Sequence, residues 1–335
     1  MTNLEVLVIG GGPAGLECAN SLTLLGYKVF IVEKDSETGG HLRKWDRLFP
    51  DGISASEVLK SMQKEYERII TFRETEVAEI KKDADLFIVK LSDGTILRVN
   101  AIIVATGFNL FDARKKEEYG YGIYNRVITN ADLEEGFKTR KKDIFESRKV
   151  GFVHCVGSRD EKVCNRHCSK VCCVTAVKQA CEFKEINQDA EVYCFYMDLR
   201  MFGRGYEDLY LKAQNKYGIR FIRGRVSEVA ENVNGLLVVK AEDTLTSKPM
   251  KITLDLLVLM SGIVNNPDND KLSEMLGITK AEDGFLTLTN STTNTFEVET
   301  KGVFLAGTVT GPKTLPETIN EARSAALAVH DYLSR

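Results

Sequence analysis

The sequence predicts an α/β chain of two Rossmann-like, three-layer domains, and three stretches predict it. Residues 4–9 form an apolar, β-branched run, followed by glycines, a helical pattern through Leu25 and a second apolar run at Lys28–Val32. That succession is a βαβ unit of about 30 residues. A fresh β run opens at 150–153, with a helical stretch over 169–186 and another strand at 191–195. Finally, 254–260 followed by Ser261-Gly262 echoes 102–105 followed by Thr106-Gly107, a weak internal duplication of one module.

Between these landmarks, 54–70 reads as a charged amphipathic helix. The runs 87–91 and Ile96–Val99 read as a hairpin turning at Ser92-Asp93-Gly94. The stretch 111–149 is polar, and its charged run 138–143 is expected to be a solvated linker or helix face. Near the end, 302–307 is a strand running into a loop, and Leu315–Leu333 is a closing helix. The expected division is a discontinuous first domain, 1–148 with 263–335, and a second domain, 149–262.

Composition narrows the function classes. With 335 residues the chain has room for two domains, and 43% hydrophobic residues provide a real core. The 45 basic and 48 acidic residues leave a net charge of −3, so no polybasic footprint for nucleic acid or anionic lipid is present. No apolar run approaches a membrane span, and the first residues read as a strand rather than a secretory signal. The expected location is cytoplasmic, where eight cysteines point to metal or redox chemistry before disulfides.

Gly10-Gly11-Gly12-Pro13-Ala14-Gly15 fits GxGxxG. Gly10 permits the tight turn, Gly12 lets a pyrophosphate approach the backbone, and Gly15 lets helix pack on strand. The helix start offers free N–H groups and a positive dipole end. Glu33 closes the next strand, 18 residues after Gly15, where an acid accepts from a ribose hydroxyl.

Five of the eight cysteines, Cys155, Cys164, Cys168, Cys172 and Cys173, lie within 19 residues, while Cys18, Cys181 and Cys194 are scattered and read as core. Thiolate softness selects an iron–sulfur cluster or zinc. Cys168 and Cys172 are one helical turn apart, and Cys164 precedes Cys168 by the same interval. The vicinal Cys173 joins them if the helix begins there. Cys155 ends a strand, the edge where open α/β sheets place ligands. Nearby Arg159, Lys162, Arg166 and Lys170 either offset an anionic cluster or solubilise the loop. The chain has no CxxC pair, neither zinc knuckle nor redox disulfide.

The segments GGGPAGLECA, VEKDSETGGHL, IIVATG and GVFLAG resemble the two-domain flavoprotein disulfide reductase superfamily over nearly the whole chain. The resemblance implies the glutathione/thioredoxin reductase type of fold, with FAD on the N-terminal loop (Gly10, Gly12, Pro13, Ala14, Gly15 and Glu33). It implies further FAD contacts at Lys34 and Val77, with Gly39 and Gly40 over the phosphates and His41 beside them. Ala105, Thr106 and Gly107 form a second contact, and Gly307 and Thr308 reach the ribityl chain. The helix start around Pro316 and Thr318 then faces the isoalloxazine edge, where its dipole favours negative charge on a reduced flavin. One departure is clear: the family has Gly-Asp where this chain has Gly307-Thr308.

The second unit reads Val153-His154-Cys155-Val156-Gly157-Ser158 where that superfamily has a nicotinamide loop, so direct NAD(P)H binding is not expected. The combination CVGSRD, HCSKVCC and AVKQA resembles the iron–sulfur flavin subunit of heterodisulfide reductases and their relatives. That resemblance implies a [4Fe–4S] cluster on Cys155, Cys168, Cys172 and Cys173, with Cys164 the surplus thiol. It implies an FAD-dependent electron-transfer component with no catalytic residue of its own, homodimeric and working with other subunits of a heterodisulfide reductase-like complex. The short length is similar to the type found in sulfur oxidisers, where a lipoate-carrier protein brings the sulfur substrate. The flavin component of a quinone-interacting oxidoreductase and an NAD(P)H-dependent flavoprotein with a structural metal are the alternatives.

Overall fold

The structure, a computed structural model, describes residues 4–63, 67–294 and 296–335. The chain forms two compact units. The first holds 1–43, 56–109 and 264–335, and the second holds 44–55 and 110–263.

In the first unit five parallel strands lie in the order Val303–Leu305, Ala101–Val104, Glu5–Ile9, Lys28–Val32, Ile69–Phe72. The strands other than the edge strand Ile69–Phe72 are buried on both faces, which is why they read as unbroken apolar runs rather than alternating ones. The helices Pro13–Leu24 and Leu315–Leu333 cover one face, joined where the buried Cys18 thiol donates to the Ala322 carbonyl at 3.4 Å. An antiparallel meander, Val77–Asp83, Leu86–Leu91 and Ile96–Val99, shares an apolar core with the sheet through Val77, Val89, Phe30 and Ile102. Three layers result.

The second unit repeats the plan. Its parallel sheet runs Val127–Thr129, Leu256–Ser261, Lys149–Val156, Glu191–Tyr196, Arg220–Arg223. Helices Asn130–Thr139, Cys172–Ile186 and Tyr206–Asn215 accompany it, with a second antiparallel meander over 226–254.

Several expectations shift. The helix expected over 54–70 spans Ala55–Met62, and the chain re-enters the sheet as Ile69–Phe72; residues 64–66 lie outside the described set. Residues 110–148 belong with the second unit, not with the first as 1–148 supposes, because Val127–Thr129 pairs in register with Leu257–Leu259. The charged run 138–143 is exposed, as expected of a solvated linker or helix face, and it ends one helix and starts another, Lys142–Phe145.

Segment 44–55 also belongs to the second unit, and a buried charge network anchors it. The Glu134 carboxylate accepts from the Asp46 amide at 2.9 Å, from the Lys178 ammonium at 2.5 Å and from the Gln179 amide at 2.8 Å. Lys178 also lies 3.1 Å from Glu182, and all three charged groups are at least nine-tenths buried. Such groups persist only when paired, since removing one partner strands the others. Burial pushes the Glu182 carboxyl up to about 7 against the pull of Lys178. A carboxyl raised on folding contributes stability that is complete below its unfolded pKa of about 4.5 and is lost as pH rises through about 7. Urea denaturation at pH 5 and pH 8 checks this. The Glu182→Gln variant gains roughly 2–3 kcal/mol on wild type between those pH values, and parallel pH profiles of the two proteins would refute the assignment.

Candidate dinucleotide and thiol sites

The first site grows from the N-terminal glycine loop. Gly10 sits at φ +105°, and a Cβ there would lie 2.5 Å from the Ala105 carbonyl oxygen; a Cβ on Gly15 would lie 1.8 Å from the Gly10 oxygen. Strand, turn and helix are therefore in backbone contact that only glycine permits. Gly12 differs: its backbone is extended, and a Cβ would meet nothing within 4 Å. The loop is thus filled behind and open in front. Pro13 follows as the first helical residue, where its missing N–H is no loss, Ala14 is buried beside it, and the first turn carries no acid. These are the terms on which a helix N-terminus accepts a pyrophosphate.

Glu33 is buried and held by the loop it was expected to serve. Its carboxylate accepts from the Gly11 amide at 2.8 Å and the Asp35 amide at 2.9 Å, leaving lone pairs on both oxygens. Lys34 is an exposed partner of Asp268 at 2.5 Å. Gly39 (φ +117°) donates to the Gly11 carbonyl at 2.7 Å, and a Cβ on Gly40 would lie 3.3 Å from the Gly12 Cα, so this turn lies over the first loop. His41 is fixed by a 2.8 Å contact from Nε2 to the Phe108 carbonyl and by stacking on that ring at 4.4 Å. Val77 is buried in the core with Phe30 and Val32, a packing position.

Ala105, Thr106 and Gly107 leave the neighbouring strand at the same edge. A Cβ on Gly107 would lie 3.7 Å from the Thr308 hydroxyl, and one on Gly307 would lie 2.7 Å from the Ala14 Cβ and 3.3 Å from the Thr318 methyl. The structure therefore gathers the 10–15, 105–107 and 307–318 segments. The final helix starts at Leu315 with Pro316 next and Thr318 buried in its first turn. Thr314 caps it, trading hydrogen bonds with Glu317.

Sequence reasoning missed four residues here. Asn266 donates to the Thr106 carbonyl at 3.0 Å, and the fully buried Asn269 accepts from the Thr106 hydroxyl at 2.6 Å. Lys313 and Glu321 clamp Gly307: the ammonium donates to its carbonyl, the carboxylate accepts from its amide at 2.8 Å, and the two charges pair at 3.3 Å. Burial pushes the Glu321 carboxyl up. No local motif announces these pairs; only the fold brings them to the loop.

The second site lies at the carboxyl end of Lys149–Val156. That strand slips register between Val153 and Val156, and Cys155 adopts φ +59°, so the bulge re-aims its thiol. Cys155 Sγ stands 4.0 Å from Cys172 Sγ. The helix starts at Cys172, not at 169, so Cys172 and Cys173 occupy its first two positions, and Cys168 precedes the helix instead of lying one turn up it. The left-handed Lys170, φ +61°, blocks an earlier start. Cys168 is half-buried, accepting from the Lys170 amide at 3.3 Å, and Cys164 is exposed.

Hydrogen bonds with Cys172 hold the thiols of Cys155 and Cys173 below the ordinary range despite burial, and push that of Cys172 far above it. The neighbouring His154 lowers both as well, and Arg159 lowers Cys155. His154 carries no sequence signal: it is buried, with neither ring nitrogen hydrogen-bonded to a protein group. The donor set is thus soft, partly ionised and placed at a helix start, the environment that makes thiolates. Among the described residues no three His, Cys, Asp or Glu side chains stand posed around a single metal ion. The scattered thiols are core: burial pushes Cys181 up to about 12 and raises Cys18 and Cys194 too.

Two α/β units, one with a glycine cradle built for a dinucleotide and the other carrying thiols at its sheet edge, define a two-domain oxidoreductase architecture. The chain belongs to the pyridine nucleotide-disulphide oxidoreductase family, whose profile matches residues 4–326. Membership in this family of oxidoreductases implies FAD, and the open Gly12 cradle fits it. Among curated proteins the chain is 33% identical to an iron-sulfur subunit of the CoB--CoM heterodisulfide reductase of Methanopyrus kandleri, over 96% of this chain and 63% of the relative. It is 41% identical to one component of the H(2)/formate:CoB-CoM heterodisulfide,ferredoxin reductase of Methanococcus maripaludis, over 70% of this chain and 37% of the relative. The chain thus spans less than two thirds of these relatives. Among solved structures, thioredoxin reductases of Lactococcus lactis (TM-score 0.71) and T. acidophilum (0.69) share its fold at 18% identity, the first over 99% of both chains and the second over 100% of both.

Two substitutions separate folding from cofactor binding at the first loop. Gly15→Ala drives a methyl into the Gly10 carbonyl and lowers both flavin content and thermal stability. Gly12→Ala meets no protein atom, so its apo form melts within about 2 °C of wild type while flavin affinity falls tenfold or more. Flavin absorbance per chain and thermal unfolding measure the two effects, and an apo Gly12→Ala protein that melts far below wild type would contradict this reading.

Proposed function

We propose that the chain is an electron-transfer component of a heterodisulfide reductase-type complex, holding FAD in the first unit and a [4Fe–4S] cluster on Cys155, Cys168, Cys172 and Cys173 in the second. The observation that carries the proposal is the meeting of Cys155, Cys172 and Cys173 at a helix start, on the sheet edge where the family's second unit otherwise binds a nucleotide. The names of the curated relatives, iron-sulfur subunits of heterodisulfide reductases, support it.

When bound, the flavin supplies exchange between electron-pair and single-electron chemistry, and the cluster supplies single-electron transfer. The chain's residues do the rest. The Gly10–Gly15 loop and helix start hold pyrophosphate, and the turn at Gly39 and Gly40 closes over it. Glu33 keeps lone pairs for a ribose hydroxyl. Lys313 and Glu321 fix the Gly307 backbone, and the helix start at Leu315, its Glu317 amide held by the Thr314 cap, presents a positive dipole end. Arg159 places positive charge beside the thiolates, which favours the more reduced, more negative state of anything they hold.

The finer reading is electron relay to partner subunits in lipoate-linked sulfur oxidation, as a cytoplasmic homodimer with a lipoate-carrier protein reached through the complex. Identifying subunits that co-purify from the native host tests it.

Anaerobically purified protein is expected to hold about four irons per chain with matching sulfide and to show an electron paramagnetic resonance signal on reduction. Cys172→Ser loses that signal while Cys181→Ala, a core change, keeps it. Rapid bleaching of the flavin band by stoichiometric NADH would instead favour a self-sufficient NAD(P)H oxidoreductase.

A further inference from the structure

The carboxyl edge of the second unit's sheet carries a charge opposite to that of the chain as a whole. Three neighbouring strands, Lys149–Val156, Glu191–Tyr196 and Arg220–Arg223, run parallel and release the chain at that edge. The segments found there, 157–171, 197–205 and 223–225, hold eight Lys and Arg against three Asp and Glu, a local balance of +5 in a chain of net charge −3. All three acids are already engaged, Glu161 by Arg166 at 3.8 Å. Asp160 is buried on Lys116 at 2.7 Å, and Asp198 lies 2.8 Å from Arg159 and 3.6 Å from Arg223. The cations that remain at the surface include Lys162, Arg200 and Arg204, all exposed.

On the same edge Phe202 is 68% exposed, on a loop whose Leu199 and Met201 pack into the core beneath it. That loop also roofs the thiols, because the Cys173 thiol donates to the Asp198 carbonyl at 3.6 Å. An exposed aromatic with Arg200 and Arg204 two residues to either side has the composition of a protein interface centre.

We infer that this edge is the docking face for an acidic, single-electron redox protein. The inference rests on the proposed cluster, since the face matters for electron exchange only with a redox centre behind it. One electron crosses per encounter, from the reduced chain to the oxidised partner or back, with no bond made or broken. Complementary charge steers the partner in and raises its association rate, which makes the encounter salt-sensitive. Phe202 supplies the apolar contact of the small, transient interface that electron-transfer pairs use. Nucleic acid is the poorer occupant: among the described residues Phe202 is a single exposed aromatic on this edge, whereas single-strand sites stack successive bases on several rings.

The probe is an acidic plant-type [2Fe–2S] ferredoxin, titrated onto the flavin-loaded protein by calorimetry. One-to-one binding is expected, weakening tenfold or more between about 50 and about 300 mM salt as screening shortens. Arg200→Glu/Arg204→Glu weakens it at least tenfold and Phe202→Ala several-fold, whereas Lys248→Glu/Lys251→Glu, on exposed positions of the meander, leaves it unchanged. Binding that is absent, indifferent to salt, equally lost in the Lys248/Lys251 variant, or surpassed by a single-stranded oligonucleotide overturns the inference. Flavin and iron measured on the same preparations keep the two readings apart. Missing iron with intact ferredoxin binding refutes the cluster, and full iron with no binding refutes only the docking face.

Discussion

A parallel sheet sends the carboxyl end of every strand to one edge, and each unit of this chain places its chemistry there. In the first unit the 10–15, 105–107 and 307–318 segments meet because Glu5–Ile9, Ala101–Val104 and Val303–Leu305 are neighbours running the same way. Residues almost three hundred positions apart then need no further device to converge. The glycines set how closely they do so: with the Gly10 carbonyl against Gly15, nothing larger than hydrogen fits.

The second unit uses the same edge with different contents. A strand bulge turns Cys155 toward a helix start, where it finds Cys172 and Cys173. Helix dipole, thiol hydrogen bonds and flanking cations then act in one direction, easing protons from two of three buried thiols. Burial acts the other way, and Cys181 and Cys194, on the same fold without those partners, rise because burial is the largest influence on each. Identical side chains a few residues apart thus divide into a reactive set and an inert set by their neighbours.

Much of this is legible in the sequence, and the failures have physical causes. The glycine loop, Glu33 and the inner strands declare themselves because backbone geometry and double-sided burial restrict residue choice. The strand Val77–Asp83 does not, because its outer face is charged and its apolar positions too few to show a period. The helix bearing Cys172 starts three residues later than its periodicity suggests, since nothing in the sequence marks Lys170 as left-handed. The allegiance of 44–55 and 110–148 is hidden because it rests on Glu134, Lys178 and a strand pairing across more than a hundred residues. His154, Asn269, Lys313 and Glu321 are invisible for the same reason: their roles are tertiary.

The cysteine loop is wound through left-handed conformations at Cys155, Arg159, Cys164 and Lys170, none of them glycine. Each costs on the order of 1 kcal/mol relative to an ordinary backbone. Valine, isoleucine and threonine are in effect closed at these positions, whatever chemistry is asked of them. Evolutionary drift in this segment is therefore channelled toward glycine, asparagine and aspartate. Distant kin can keep the winding after the thiols are gone, and a search by cysteine spacing alone would pass them by.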